Sequence, residues 1–306
     1  MVAPGGRDSA VGAPAWPVAL LEHAALPAPN RTSSMTSNAR VLPNGKATYR
    51  VDGHVAWITL TNPPANGYSH EMMRDLDEAI LAARFDTEVQ VIVLAGEGEK
   101  FFCAGADISM LNDVTPAFKY AFCLHANETL LRLEHTPKLV IAALGGHCVG
   151  GGLEVALAAD LRVARKGSGR CGLPEIALGV LPGTGGTQRL ARVVGKAKAI
   201  ELMAKGELFD YETAQALGLV SELIEAEDEA AFLAAVSDLA TSYCTPGKAA
   251  LSVGHIKRAV QTGLELPLEA GLALERELQA KLFASADAAE GIAAFVEKRD
   301  ASFQGS

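Results

Sequence analysis

The sequence predicts an α/β (α+β) fold, a core of repeated strand–strand–helix units followed by a helical C-terminal region. Three observations carry this. Short apolar runs at Ala47–Val51, His54–Leu60, Val89–Leu94, Leu139–Leu144 and Leu161–Ala164 alternate with stretches of helical period. Val89–Leu94 is apolar apart from Gln90, close to the pattern of a strand buried on both faces. From about Lys196 onward the pattern is helical alone.

The first 45 residues are rich in Ala, Pro, Ser and Gly and show no sustained period, so residues 1–45 are expected to be a disordered tail. The apolar stretch Trp16–Leu21 has no basic region before it, which argues against a secretory signal. Arg7, Arg31 and Arg40, set against only Asp8 and Glu22, leave a mitochondrial transit peptide open, and Met35 is open as a natural start. The expected location is the cytoplasm, or the mitochondrial matrix if the tail is a transit peptide. Asp52–Gly53 between two strand-like runs is a hairpin signal. Ser69 reads as the N-cap of a helix running to about Arg84, with Met72, Leu76, Ile80 and Leu81 at helical spacing. A second pass follows with a helix at Pro116–Leu133, the strand Leu139–Leu144, a short helix Gly151–Ala159 and the strand Leu161–Ala164. The last third reads as helices at Ala197–Ala204, Tyr211–Ala216, Asp228–Cys244, Lys248–Gly263, Pro267–Leu282 and Ser285–Arg299. The expected division is a core with the active site at 46–195 and a helical region at 196–306.

A chain of 306 residues allows one large domain or two small ones, and 49% hydrophobic content is ample for a core. The net charge of −9 argues against a nucleic-acid surface as the main business. No apolar run reaches membrane-spanning length. Five cysteines without metal-type spacing fit a reducing compartment, and Cys103 and Cys148 read as small buried residues. No metal is expected: His125 and His135 are too far apart for one helical turn, and His147 stands alone among glycines.

The chemistry is concentrated between Gly145 and Leu190. From Leu139 to Ala159 the only acidic side chain is Glu154, and from Cys171 to Gln188 the only charged one is Glu175. A carboxylate alone in an apolar run is costly to bury in its charged form, so its pKa tends to rise into the range useful for proton transfer. Gly150, Gly151 and Gly152 precede a short buried helix, where free N–H groups favour an anion. Either feature alone is more often structural than catalytic; together they point to acid–base chemistry beside a developing oxyanion.

Three segments resemble the signature of the crotonase (enoyl-CoA hydratase/isomerase) superfamily, and the hydratases in particular: FFCAGADI at Phe101–Ile108, GGGLE at Gly150–Glu154, and GLPEIALGVLPGTGGTQRL at Gly172–Leu190. The resemblance runs from about Lys46 to Phe303. It implies a spiral of ββα repeats and a helical region that packs in trimers, often paired into hexamers. The implied substrate is a 2-enoyl thioester of coenzyme A, with no separate cofactor. The resemblance further implies that the N–H groups of Ala106 and Gly151 hold the thioester oxygen, that Glu154 activates water, and that Glu175 protonates C2. It places Ala104, Gly105, Asp107 and Ile108 along coenzyme A, Gly183 at the acyl pocket, and Phe295 and Lys298 near the nucleotide. For Gly183 a plain turn, and for Phe295 and Lys298 a solvated helix end, are equally compatible with the residues. Departures from the family pattern are Leu173 where some hydratases carry Gln, Gly145–Gly146 where many carry Asn–Gly, and a longer stretch at Arg165–Arg170. Two glutamates favour hydration over Δ3,Δ2-enoyl-CoA isomerisation, which needs one base. A non-catalytic or RNA-binding role is the reading from another class.

Overall fold

The computed structural model describes residues 39–306, so the expected tail lies outside the described residues as far as residue 38. Its boundary needs correction. Arg40–Val41 (β1) pairs antiparallel with Ala47–Asp52 (β2), so the sheet begins inside the stretch read as tail. Two exposed residues carry no period to read; the pairing is fixed from outside, by Asp75, whose carboxylate accepts from the amides of Asn44 (3.0 Å) and Lys46 (2.8 Å) in the turn.

β2 folds back at Asp52–Gly53 into Val55–Leu60 (β3). Ser69 caps His70–Phe85 (α1), accepting from the Met72 N–H at 3.2 Å. Next come Val91–Gly96 (β4), Phe101–Cys103 (β5) and Ile108–Asp113 (α2). Pro116–Glu134 (α3), with Pro in its first turn and Thr115 as cap, leads to Leu139–Leu144 (β6) and His147–Val149 (β7). Gly151–Leu157 (α4), Leu161–Arg165 (β8) and Arg170–Gly172 (β9) follow. The remaining elements are Gly186–Val194 (α5), Lys196–Lys205 (α6), Phe209–Asp210 (β10), Tyr211–Ala216 (α7), Glu222–Ile224 (β11), Glu229–Ser242 (α8), Ala250–Gly263 (α9), Leu268–Phe283 (α10) and Ala286–Glu297 (α11).

The strands form a seven-stranded sheet in the order β1-β2-β3-β4-β6-β8-β11 and a four-stranded sheet in the order β10-β9-β7-β5. From β3 to β11 the large sheet is parallel. Its strands alternate between two apolar environments, as period-two geometry requires. Ile58, Ile92, Leu94, Val140 and Ala142 join one cluster with α1, α3 and the small sheet. Val55, Trp57, Val91, Val93, Ile141 and Val163 face the other way, onto Phe232, Val236 and Ala240 of α8.

The chain beyond Lys196 is therefore not helical alone, and the boundary at 195 does not separate core from addition. β10 extends the small sheet against β9, and β11 adds the seventh strand of the large sheet, Leu223 opposite Ala164. Runs of two and three residues are too short to show a period of two, so their pairing is set by the neighbouring strand. α8 covers the second face of the large sheet within the same chain. Among the described residues no helix is long and apolar enough to cross a membrane.

Candidate active site

β5, β7 and β9 are parallel neighbours, with Cys103 opposite Cys148 and Cys148 opposite Cys171. The loops leaving their C-terminal ends are the three motif segments, the position at which α/β sheets bind ligands. The three cysteines are buried, and burial pushes the thiols of Cys103 and Cys171 up to about 12. They serve as small packing side chains under tightly stacked backbone.

The first loop is stitched to the residue before α1. The Tyr68 N–H donates to the Gly105 carbonyl (2.8 Å) and the Asp107 N–H to the Tyr68 carbonyl (3.1 Å), a parallel bridge centred on Ala106. This pairing turns the N–H of Ala106 itself away from the bridge. Gly151 opens α4, so its N–H has no partner within the helix. Neither amide is taken up by a hydrogen bond among the described residues. The two loops touch: an atom at the Cβ position of Gly105 would lie 2.9 Å from the Val149 carbonyl oxygen and 3.5 Å from the Gly151 nitrogen, at a φ of +89°. Only glycine fits there.

Glu154 lies in the first turn of α4 and is 3% exposed. Its Oε1 accepts from the amides of Thr184 and Gly186, both at 2.8 Å, and its Oε2 accepts from the Thr184 hydroxyl. Three donors surround it, the arrangement that an ionised carboxylate satisfies. The loop that supplies them is itself held. Arg189 Nη1 donates to the Thr184 carbonyl at 3.2 Å, while Nε and Nη2 grip Glu134 of α3 at 2.8 and 2.6 Å.

Glu175 begins a single 3₁₀ turn, Glu175–Leu178, and is half-buried. Its Oε1 lies 2.9 Å from where a Cβ on Gly150 would stand, and Gly150 has a φ of +55°. Its Oε2 is buried with no hydrogen-bond partner. Burial pushes its pKa up to about 7; its own backbone N–H and Lys119 pull it down, and the charge of Glu154 adds to the rise. The two carboxyl groups thus share one electrostatic neighbourhood in opposite conditions, one held by three donors and the other left with an open oxygen.

The fold brings together Ala104, Gly105, Ala106, Asp107, Gly150, Gly151, Glu154 and Glu175. Ile108 opens α2 beside them. Gly183 stands next to Thr184, with Cys123 Sγ 3.2 Å from its Cβ position. Leu173 is buried, its Cδ1 3.0 Å from the Cβ position of Gly186, so an apolar wall stands where hydrogen bonding was in question. Phe295 is 85% exposed on α11 and Lys298 ends that helix in the left-handed region (φ 57°). No hydrogen bond, ion pair or ring contact among the described residues joins either to the cluster. His147 has a structural partner, its Nδ1 accepting from the Arg170 amide at 3.1 Å. Sequence reasoning missed Thr184, Tyr68 and Lys119. Thr184 had one visible signal, a hydroxyl inside PGTGG; Tyr68 and Lys119 lie on elements that meet the site only through tertiary packing.

The enoyl-CoA hydratase/isomerase family model matches residues 50–306. A short-chain-enoyl-CoA hydratase of Clostridium acetobutylicum is 33% identical over 249 residues, 81% of this chain and 93% of its own. The (E)-benzylidenesuccinyl-CoA hydratase of Thauera aromatica is 37% identical over 262 residues, 85% of this chain and 99% of its own. The crystal structure of an enoyl-CoA hydratase from Bacillus anthracis superposes with a TM-score of 0.79 at 30% identity, covering 85% of this chain and 100% of that one.

Proposed function

Because the chain belongs to the enoyl-CoA hydratase/isomerase family and carries two carboxyl groups in opposite conditions beside a pair of open amides, we propose that it adds water across the 2,3 double bond of a 2-enoyl-CoA, giving the 3-hydroxyacyl-CoA. The contrast between Glu154 and Glu175 carries the reading. An acid and a base of the same residue type need environments that drive their protonation apart. Glu154, fixed by three donors, takes a proton from water as the water's oxygen adds to C3. Glu175, protonated near neutral pH, delivers a proton to C2. Negative charge gathers on the thioester oxygen between the two additions, and the N–H groups of Ala106 and Gly151 receive it, each worth about 3 kcal/mol in a dry site. One proton enters Glu154 and one leaves Glu175, and exchange with solvent restores both.

The test is incubation with crotonyl-CoA, following loss of the enoyl-thioester absorbance and identifying 3-hydroxybutyryl-CoA as product. Glu154→Gln and Glu175→Gln are each expected to lower turnover by about 100-fold or more. A Glu175→Gln protein that hydrates at the parental rate overturns the mechanism. A protein that only converts a 3-enoyl-CoA to its 2-enoyl isomer, with no hydration, is an isomerase instead.

A further inference from the structure

Tyr68 is a buried polar side chain at this site that the mechanism above does not use. Its ring is 1% exposed. It lies against Gly151, its Cγ 3.1 Å from the Cβ position of that glycine, and against Phe122, with ring centroids 5.1 Å apart. Its hydroxyl is buried with no hydrogen-bond partner. Around it stand Thr184, Glu154, Cys123 and Cys103. A phenol so enclosed ordinarily has a partner. The Thr184 hydroxyl gives its hydrogen to Glu154, so toward the phenol its oxygen can only accept, and that neighbour pulls the phenol's pKa down against the rise that burial causes. What the phenol oxygen lacks among the described residues is a donor, and a molecule that enters can supply one.

We propose that Tyr68 is a further catalytic residue, whose hydroxyl holds the oxygen that is the attacking water in one direction and the 3-hydroxyl in the other. The inference rests on the hydratase reading above. Water in the site gives one hydrogen to Glu154 and directs a lone pair at C3. The phenol oxygen accepts its second hydrogen, which fixes the direction of that lone pair. In the reverse reaction the departing hydroxyl gives the same hydrogen to the same oxygen. No bond to Tyr68 forms or breaks.

The test separates water placement from site integrity. In D₂O a saturated acyl thioester, butyryl-CoA, exchanges its C2 proton using Glu175 and the two amides, with no water added to C3. In Tyr68→Phe, kcat for crotonyl-CoA hydration is expected to fall about tenfold, the scale of one lost hydrogen bond in a buried site. C2 exchange and the inhibition constant of butyryl-CoA stay within about twofold of the parental values. Hydration at the parental rate overturns the proposal, and so does an equal loss of hydration and exchange, which would make the ring a prop for Gly151. Tyr68→Met, which fills the space without a hydroxyl, gives the same pair of readings if the Phe protein does not fold. A parental protein that hydrates no enoyl-CoA removes the hydratase reading and this inference with it, a failure identified by the parental rate alone.

Discussion

The two sheets divide the work of the molecule differently. The central strands of the large sheet, β3, β4 and β6, are six residues long, and their side chains are buried on both faces. What matters there is apolar volume, supplied by Ile, Val, Leu and Trp. The strands of the small sheet are two or three residues long, and β5, β7 and β9 end at the motif loops. What matters there is backbone: amides left open at Ala106 and Gly151, and glycines where loops touch. Stability and chemistry therefore rest on different kinds of residue in neighbouring layers, and substitutions should be able to move one without the other.

The largest expected effect is on the stability side. Ile141 is fully buried between the large sheet and α8. Ile141→Ala should lower the unfolding free energy by about 3 kcal/mol in a urea titration. Turnover per folded molecule should stay within about twofold of the parent. A loss of turnover in the folded fraction would break the division. The converse change is Gly150→Ala. Its new Cβ would stand 2.9 Å from Glu175 Oε1 at a positive φ, so the acid must move away from the seam between the loops. A steady-state assay should find kcat reduced by about 100-fold, with a smaller change in urea midpoint than Ile141→Ala produces.

The smallest effect sharpens the comparison by placing both properties on one residue. Burial raises Glu175 to about 7 from its ordinary 4.5. The proton donor proposed above works only when protonated, so on that reading kcat/KM for hydration should fall as pH rises through about 7. The folded chain also holds this proton more tightly than the unfolded chain does. The stability this group contributes is thus fully present below about 4.5 and is lost as pH rises to about 7. Glu175→Gln removes both dependences. Calorimetry should show its melting temperature gaining on the parent between pH 5 and pH 8, while its low residual activity loses the limb near 7. A constant difference in melting temperature would mean that Glu175 is not strained by burial.

The five longer strands of the large sheet were legible because they are long enough to show their period; β4 was visible as the apolar run Val89–Leu94, two residues ahead of its actual bounds. The Ser69 cap was legible because the signal is local. β5, β7 and β9 were not, since three residues fit any period and their pairing is decided by the strands beside them. The motifs were visible all the same: a lone glutamate among apolar residues is a chemical anomaly whatever element holds it. The sequence did not disclose how differently the two glutamates are held. The Thr184 hydroxyl, the Gly186 amide and the empty side of Glu175 Oε2 are products of loops meeting in space.

β11 has a consequence for how the chain may be divided. It returns from residue 222 to close the open flank of β8, which passed by some sixty positions earlier, and α8 behind it roofs Val93 and Ile141. A polypeptide cut at 195 would carry the motif segments, yet it would present a bare strand flank and an uncovered apolar face to its surroundings. Such a fragment would invite self-association, because the strand and the helix that complete the large sheet lie beyond the cut.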